Sequence, residues 1–247
     1  MLSDRYVDEI KRAQFDFSGK YKYIALFSNP YFFVRKHLYD NIKKYAPSLK
    51  GKVLDFGCGA KPYQTLFTNC TEYIGCDIAV SGHNHKNEII DVYYDGKTLP
   101  FEDESFDSVF SSEVFEHVEN LDEMLPELNR VLKKGGHMLI TVPFIWNEHE
   151  IPYDFRRYTS YGLRAVLKKN GLKVVKFTKS TGCIEILMQM FVEHLRGEVR
   201  DKIPNRTLRI LFQRIVITTC FLVGIVLTVF LPKNDTIYGD NIVLCKK

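Results

Sequence analysis

Residues 52–78 read KVLDFGCGAKPYQTLFTNCTEYIGCDI, and the two ends of this stretch decide the fold. KVLDF (52–56) and EYIGCDI (72–78) are short, nearly continuous apolar runs. Runs of that kind suit strands buried on both faces of a parallel sheet. Between them Gly57 and Gly59 allow a tight turn and a close approach of backbone to a ligand. A dinucleotide fingerprint needs G-x-G-x-x-G, but the sixth position here is Pro62, so a pyrophosphate fits the loop poorly. A shorter G-x-G loop suits a ligand without phosphate. Asp77 ends the second run, where an acidic side chain can accept hydrogen bonds from ribose hydroxyls.

Outward from this stretch the same pattern repeats. EIIDVY (88–93), FDSVFSS (106–112), HMLITVP (137–143), KVVKFTK (173–179) and NIVLCKK (241–247) read as further strands. Helical spacing covers 30–46, opened by Pro30 and closed by Pro47. Pro62 suits the first turn of another helix. A third helix runs from about Leu121 to Lys134, with Gly135–Gly136 as its stop. A fourth spans 159–170, capped by Thr159 and ended at Gly171. The expected fold is a doubly wound, Rossmann-like α/β sheet of seven strands. The expected domains are an N-terminal helical cap (1–50), a core (51–180), an apolar helical insert (181–240) and a last core strand (241–247).

At 247 residues, with 45% apolar and 26% charged residues, the composition is that of a globular chain. A net charge of +4 gives no nucleic-acid signature. Six cysteines without a CxxC pair read as reduced thiols. The first seventeen residues are polar and mixed in charge, so no secretory leader is expected there and the chain reads as cytoplasmic.

Four motifs agree in order and spacing: VLDFGCG, YIGCDI, DGKTLPFEDESFDSVFSSEVFEHV and LKKGGHMLITVP. Over roughly residues 50–180 they resemble the class I S-adenosylmethionine-dependent methyltransferases. The likeness is to the ubiquinone-biosynthesis-like, type 11 group of small methyltransferases. The resemblance implies a seventh strand inserted antiparallel between the fifth and sixth. It implies S-adenosylmethionine as cofactor, with Asp55, Gly57, Gly59 and Ser112 around it, Asp77 on ribose and Asp95 near adenine. The loop departs from the family in reading G-C-G-A-K, without a third glycine. Asp95 has a plain alternative, because Asp-Gly is itself a turn signal.

Glu113, Glu116 and His117 follow the fourth strand, and helical spacing would set Glu113 and His117 on one face. Three readings stay open. His117 is a general base for an acceptor hydroxyl, with His149 as second choice. Alternatively the three residues bind a divalent cation. E-x-x-E-H resembles the metal motif of small-RNA 3′-end methyltransferases, in which a further histidine, here His149, completes the site. In the third reading the acids merely favour a helix N-terminus and His117 is structural.

The segment PFIWNEHEIPYDFRRYTSYGL (143–163) reads as a long loop at the ligand edge. Its Trp146, Arg156, Arg157 and Tyr158, with Glu113, are the candidate acceptor-binding residues; the plain alternative is a lid held by its own ion pairs. Its pattern resembles methyltransferases of surface-polysaccharide and glycolipid synthesis. The implied acceptor is a small molecule, glycan or lipid-linked compound, oxygen being the expected methylation site. An RNA 3′ end, a prenylated quinol, or cofactor binding without chemistry are the alternatives.

Residues 215–231, IVITTCFLVGIVLTVFL, carry no charge, and at about 1.5 Å per residue reach roughly 26 Å. Basic residues precede them, and Lys233 follows. Residues 204–232 are therefore expected to dock on the inner face of a membrane. A single crossing would strand the last strand on the wrong side. The alternatives are a buried or dimer-forming helix, or a true single span with the last strand misread.

Overall fold

Seven strands, ordered β3-β2-β1-β4-β5-β7-β6, make one sheet in a computed structural model that describes residues 11–79 and 89–247. They are β1 (Gly51–Phe56), β2 (Cys70–Ile78), β3 (Val92–Tyr94), β4 (Phe106–Ser112), β5 (Leu132–Pro143), β6 (Lys173–Ser180) and β7 (Asp240–Lys246). β1 runs parallel to β2 and β4, and β4 parallel to β5. β7 pairs antiparallel with β5, setting Leu139 opposite Leu244. The expected Rossmann-like sheet with an antiparallel last strand is present. The expected third strand began at Glu88, which lies outside the described residues.

The chain forms two units. One takes in Asn41–Lys179 and Asp240–Lys247, the other the residues up to Asp40 with Ser180–Gly239. In the first, α3 (Leu121–Val131) buries Leu121, Met124, Leu125, Leu128 and Val131, one stripe at helical spacing. That stripe joins Leu54, Phe56, Val109, Met138 and Ile140 in the core. α4 (Ser160–Lys169) starts where the Thr159 hydroxyl accepts the Gly162 N–H at 3.1 Å.

Three expectations about helices need correction. Pro62 opens no α-helix; only a short 3₁₀ turn, Gln64–Leu66, lies between β1 and β2. α3 stops at Val131, not at Lys134, and Lys133–Gly136 belong to β5. A Cβ at Gly136 would stand 2.8 Å from the Asp107 carbonyl oxygen, so this glycine allows β5 to close on β4. Glu113 to His117 are not α-helical. Glu113 takes a left-handed conformation (φ 55°), and a 3₁₀ turn holds only Phe115–His117.

The second unit contains α1 (Tyr21–Ser28), the start of α2 (Phe32–Tyr45), α5 (Cys183–Lys202) and α6 (Arg206–Phe230). Its centre is aromatic: Phe33 meets Phe221 edge-on at 5.0 Å between centroids. Gly224 lies where a Cβ would come within 3.0 Å of the Phe33 ring, so α6 packs closely there. Gln189, fully buried, donates to the Pro30 carbonyl at 2.7 Å. α6 is otherwise mostly uncovered. Only 11% of its most apolar eighteen-residue window is buried, and Val229 and Phe230 are 75% and 78% exposed.

Candidate functional site

In open α/β sheets, ligands bind beyond the carboxyl ends of the strands, where the strand order reverses. Here that place is the junction of β1 with β4. The loop after β1 is set by backbone geometry. Gly57 has φ 73° and donates its N–H to the Cys76 carbonyl at 2.8 Å. A Cβ there would fall 2.3 Å from Val114 Cγ2. Gly59 has φ 46°, and a Cβ at Gly59 would meet nothing within 4 Å, so open space adjoins the loop. Asp77 accepts the Gly59 N–H at 2.9 Å and the Ile78 N–H at 2.8 Å.

Asp55 is buried and accepts the Tyr73 hydroxyl at 2.7 Å. Burial pushes its pKa up to about 7, against the pull of that hydrogen bond. Asp95 is exposed and accepts the Lys97 and Thr98 N–H groups at 2.8 Å, so it caps its own turn. Sequence reasoning missed Lys61, a buried lysine paired with Asp91, which also accepts the Gly75 N–H at 2.7 Å. A lysine just past a glycine loop reads as an exposed charge; only the fold brings Asp91 against it.

A second cluster follows β4. Ser112 shares a 2.9 Å hydrogen bond with Thr141, and Thr141 donates to Glu113 at 2.7 Å. Burial pushes Glu113 up to about 7, and the Thr141 hydrogen bond opposes this. Thr141 was not anticipated, although a lone hydroxyl in the apolar run HMLITVP was the available signal. Glu116 is 1% exposed, and neither carboxylate oxygen has a hydrogen-bond partner. Burial first, then the nearby Glu113, raises its pKa well above the usual range. That argues against both acids serving as solvated charges at a helix N-terminus.

The loop after β5 brings His149 to His117, with Nε2 to Nε2 at 3.2 Å. His117 Nδ1 lies 2.7 Å from the Tyr153 carbonyl oxygen, which can only accept, so Nδ1 carries the proton. Burial pulls the His117 pKa below its ordinary value, which leaves Nε2 bare near neutral pH. His149 Nδ1 faces two acceptors, the Asn147 carbonyl at 3.3 Å and Asp154 at 3.2 Å. Arg157 also reaches this nitrogen, at the longer distance of 3.4 Å. Asp154 stays ionised: burial raises its pKa, but Arg157 and the His149 N–H outweigh this and bring it to about 2.

The remaining predicted residues hold the loop itself. Arg157 donates to Asp154 at 2.5 and 2.7 Å and to the Asn147 carbonyl at 3.0 Å. Arg156 donates to the Glu119 carbonyl at 2.6 Å. Tyr158 packs on the core, and its carbonyl accepts from Asn241 at 2.8 Å. Trp146 is partly buried in the same loop. These contacts match a lid held by its own ion pairs.

Comparison with known proteins places this geometry. A family described as "Methyltransferase domain" matches residues 54–140. The chain carries a class I methyltransferase domain. This domain is of the S-adenosylmethionine-dependent kind, and the glycine loop, the open space beside Gly59 and the acid at Asp77 fit that cofactor. An uncharacterised protein of Methanocaldococcus jannaschii is 35% identical over 107 residues, 41% of this chain and 48% of that one. A phthiotriol/phenolphthiotriol dimycocerosates methyltransferase of Mycobacterium ulcerans is 36% identical over 103 residues, 38% of each chain. The chain thus spans about half the length of these relatives, or less. The fold is shared with an S-adenosylmethionine-dependent methyltransferase from Mesorhizobium loti. The TM-score is 0.53 at 13% identity, over 85% of this chain and 97% of that one.

Proposed function

We propose that the protein methylates an oxygen of a glycan, glycolipid or other membrane-associated acceptor. The observation that carries this reading is the imidazole pair of His117 and His149, Nε2 to Nε2 at 3.2 Å, at the carboxyl edge of β4 and β5. S-adenosylmethionine held at the glycine loop supplies an electrophilic methyl group. Gly59 adjoins open space for it, Asp55 and Ser112 line that edge, and Asp77 stands beside the loop to meet ribose. Transfer needs little from side chains beyond placement of the acceptor. A hydroxyl acceptor must lose its proton, and the His117–His149 pair is built to activate it. Loop 144–159 then borders the acceptor.

The membrane part of the proposal rests on α6. Its exposed apolar residues include Leu208, Leu211, Ile215, Val226 and Phe230. Arg206, Arg209 and Arg214 share the same helix. A helix of this kind binds in the interface of an anionic leaflet. A transmembrane crossing is disfavoured by chain connectivity. β7 begins only ten residues after Phe230 and must pair with β5. That short link would have to recross the hydrocarbon as irregular backbone, with its peptide groups unpaired. We place the protein at the cytoplasmic face. An exposed apolar helix favours a lipid-linked acceptor over an RNA 3′ end, and the M. ulcerans relative is named for dimycocerosate acceptors.

The test is transfer of labelled methyl by the purified protein to membrane lipids, glycolipids, quinols and short RNAs. Label in a lipid or glycan fraction supports the proposal. Label in RNA alone, or cofactor binding without transfer to any fraction, overturns it.

A further inference from the structure

Lys61 stands where the glycine loop departs from its family. In G-C-G-A-K it takes the place of the third glycine, and its φ of 50° is the left-handed backbone that favours glycine. Its side chain is nevertheless only 4% exposed. A lysine here carries two costs, a left-handed backbone and a buried ammonium. A glycine would carry neither. The contacts of the side chain must offset both.

The stem of Lys61 crosses β2 at Gly75. A Cβ at Gly75 would fall 2.3 Å from Lys61 Cε and 2.6 Å from Cys58 Sγ. Past that crossing the ammonium meets Asp91 Oδ2, the same oxygen that accepts the Gly75 N–H at 2.7 Å. The Asp91 N–H donates in turn to the Gly75 carbonyl at 3.0 Å. Two residues earlier, the Ile89 N–H donates to the Gly59 carbonyl, also at 3.0 Å. The Gly59 N–H is the one that Asp77 accepts. Gly59 is thus bonded on both sides. Its N–H goes to Asp77, and its carbonyl to the segment that Lys61 anchors.

We propose that Lys61 and Asp91 are positioning residues for the cofactor: their ion pair fastens residues 89–91 across the glycine loop and so holds Gly59 and Asp77 in the arrangement that receives the nucleoside. Both act through Gly59. The inference rests on S-adenosylmethionine occupying this loop. The pair is asymmetric. The Asp91 side chain is 43% exposed and turns to water when Lys61 is lost, whereas Lys61 has no such escape when Asp91 is lost.

The experiment titrates the full chain with S-adenosylhomocysteine by calorimetry and follows amide exchange in the free protein. Lys61→Gly is the deciding variant, because it relieves the backbone while removing the ion pair. It should fold, bind about tenfold more weakly and exchange its Ile89 amide faster. Lys61→Met, which keeps the stem and loses the charge, should weaken binding to a similar extent. Lys61→Met combined with Asp91→Asn should bind no more weakly than Asp91→Asn alone, since the double variant buries no unpaired charge. If Asp91→Asn does not fold, Lys61→Gly and Lys61→Met decide. Wild-type affinity in Lys61→Gly, or a lower melting temperature with affinity unchanged, makes the pair merely structural and overturns the proposal. No binding by the wild type would instead overturn the cofactor assignment, and the inference with it.

Discussion

The carboxylates around the β1–β2 edge and those after β4 are treated differently by the same sheet. At the first edge nearly every acid has a matched partner. Asp77 takes two backbone N–H groups, Asp91 takes Lys61 and the Gly75 N–H, and Asp95 closes its own turn. At the second, Glu113 has one hydroxyl to accept from, and Glu116 has no hydrogen-bond partner. A matched polar group holds a shape, and an unmatched one stores cost until something arrives. The first edge is therefore a preformed cradle. The second keeps buried acids that the sheet leaves with few or no matched donors.

The largest test breaks the cradle itself. Gly57→Ala forces a side chain into left-handed backbone against Val114, and should destabilise the domain by about 3 kcal/mol or more. A melting temperature unchanged from wild type would show that the loop does not need its glycine. Next comes the pH dependence of the unmatched edge. Glu113 has a folded pKa raised to about 7 by burial, so the unfolded state holds fewer protons between about pH 4.5 and 7. Stability is thus highest at the acid end of that window and falls as pH rises through it, on the order of 2–3 kcal/mol for this residue. Asp55, also raised to about 7 by burial, adds a slope of the same sign. Glu113→Gln should flatten part of the denaturation profile between pH 5 and 7. An identical slope in the variant would mean that Glu113 titrates normally.

Smaller effects sharpen the contrast. Asp77→Ala should cost about 1–3 kcal/mol of S-adenosylhomocysteine affinity by calorimetry while leaving the fold intact; equal affinity would remove Asp77 from the cradle. Asp95→Ala should be the mildest. Its side chain is exposed and capping a turn, so cofactor affinity should hardly move, and a large loss would restore the adenine role that the resemblance implied.

The two edges also differed in how far they could be read from sequence. Strands β1 and β2 and their glycines announce themselves locally, through apolar runs and through residues chosen for backbone freedom. Glu113 and His117 do not. A spacing of four is the same in a helix and in an irregular turn, and only the left-handed Glu113 separates the two. Glu116 was legible as a residue type, but not as a buried one, because its shell comes from residues some thirty positions later. Gly135–Gly136 misled for a related reason. Glycines after lysines read as a helix stop, while Gly136 here admits the backbone of a neighbouring strand. What the sequence hides is tertiary contact; what it shows is local geometry.

β7 lies between β5 and β6, yet it follows α6 in the chain. During synthesis the most apolar helix of the protein leaves the ribosome before the strand that joins β5 to β6. For that interval β5 and β6 have facing edges with no strand between them. Under the membrane docking proposed above, attachment precedes completion of the sheet.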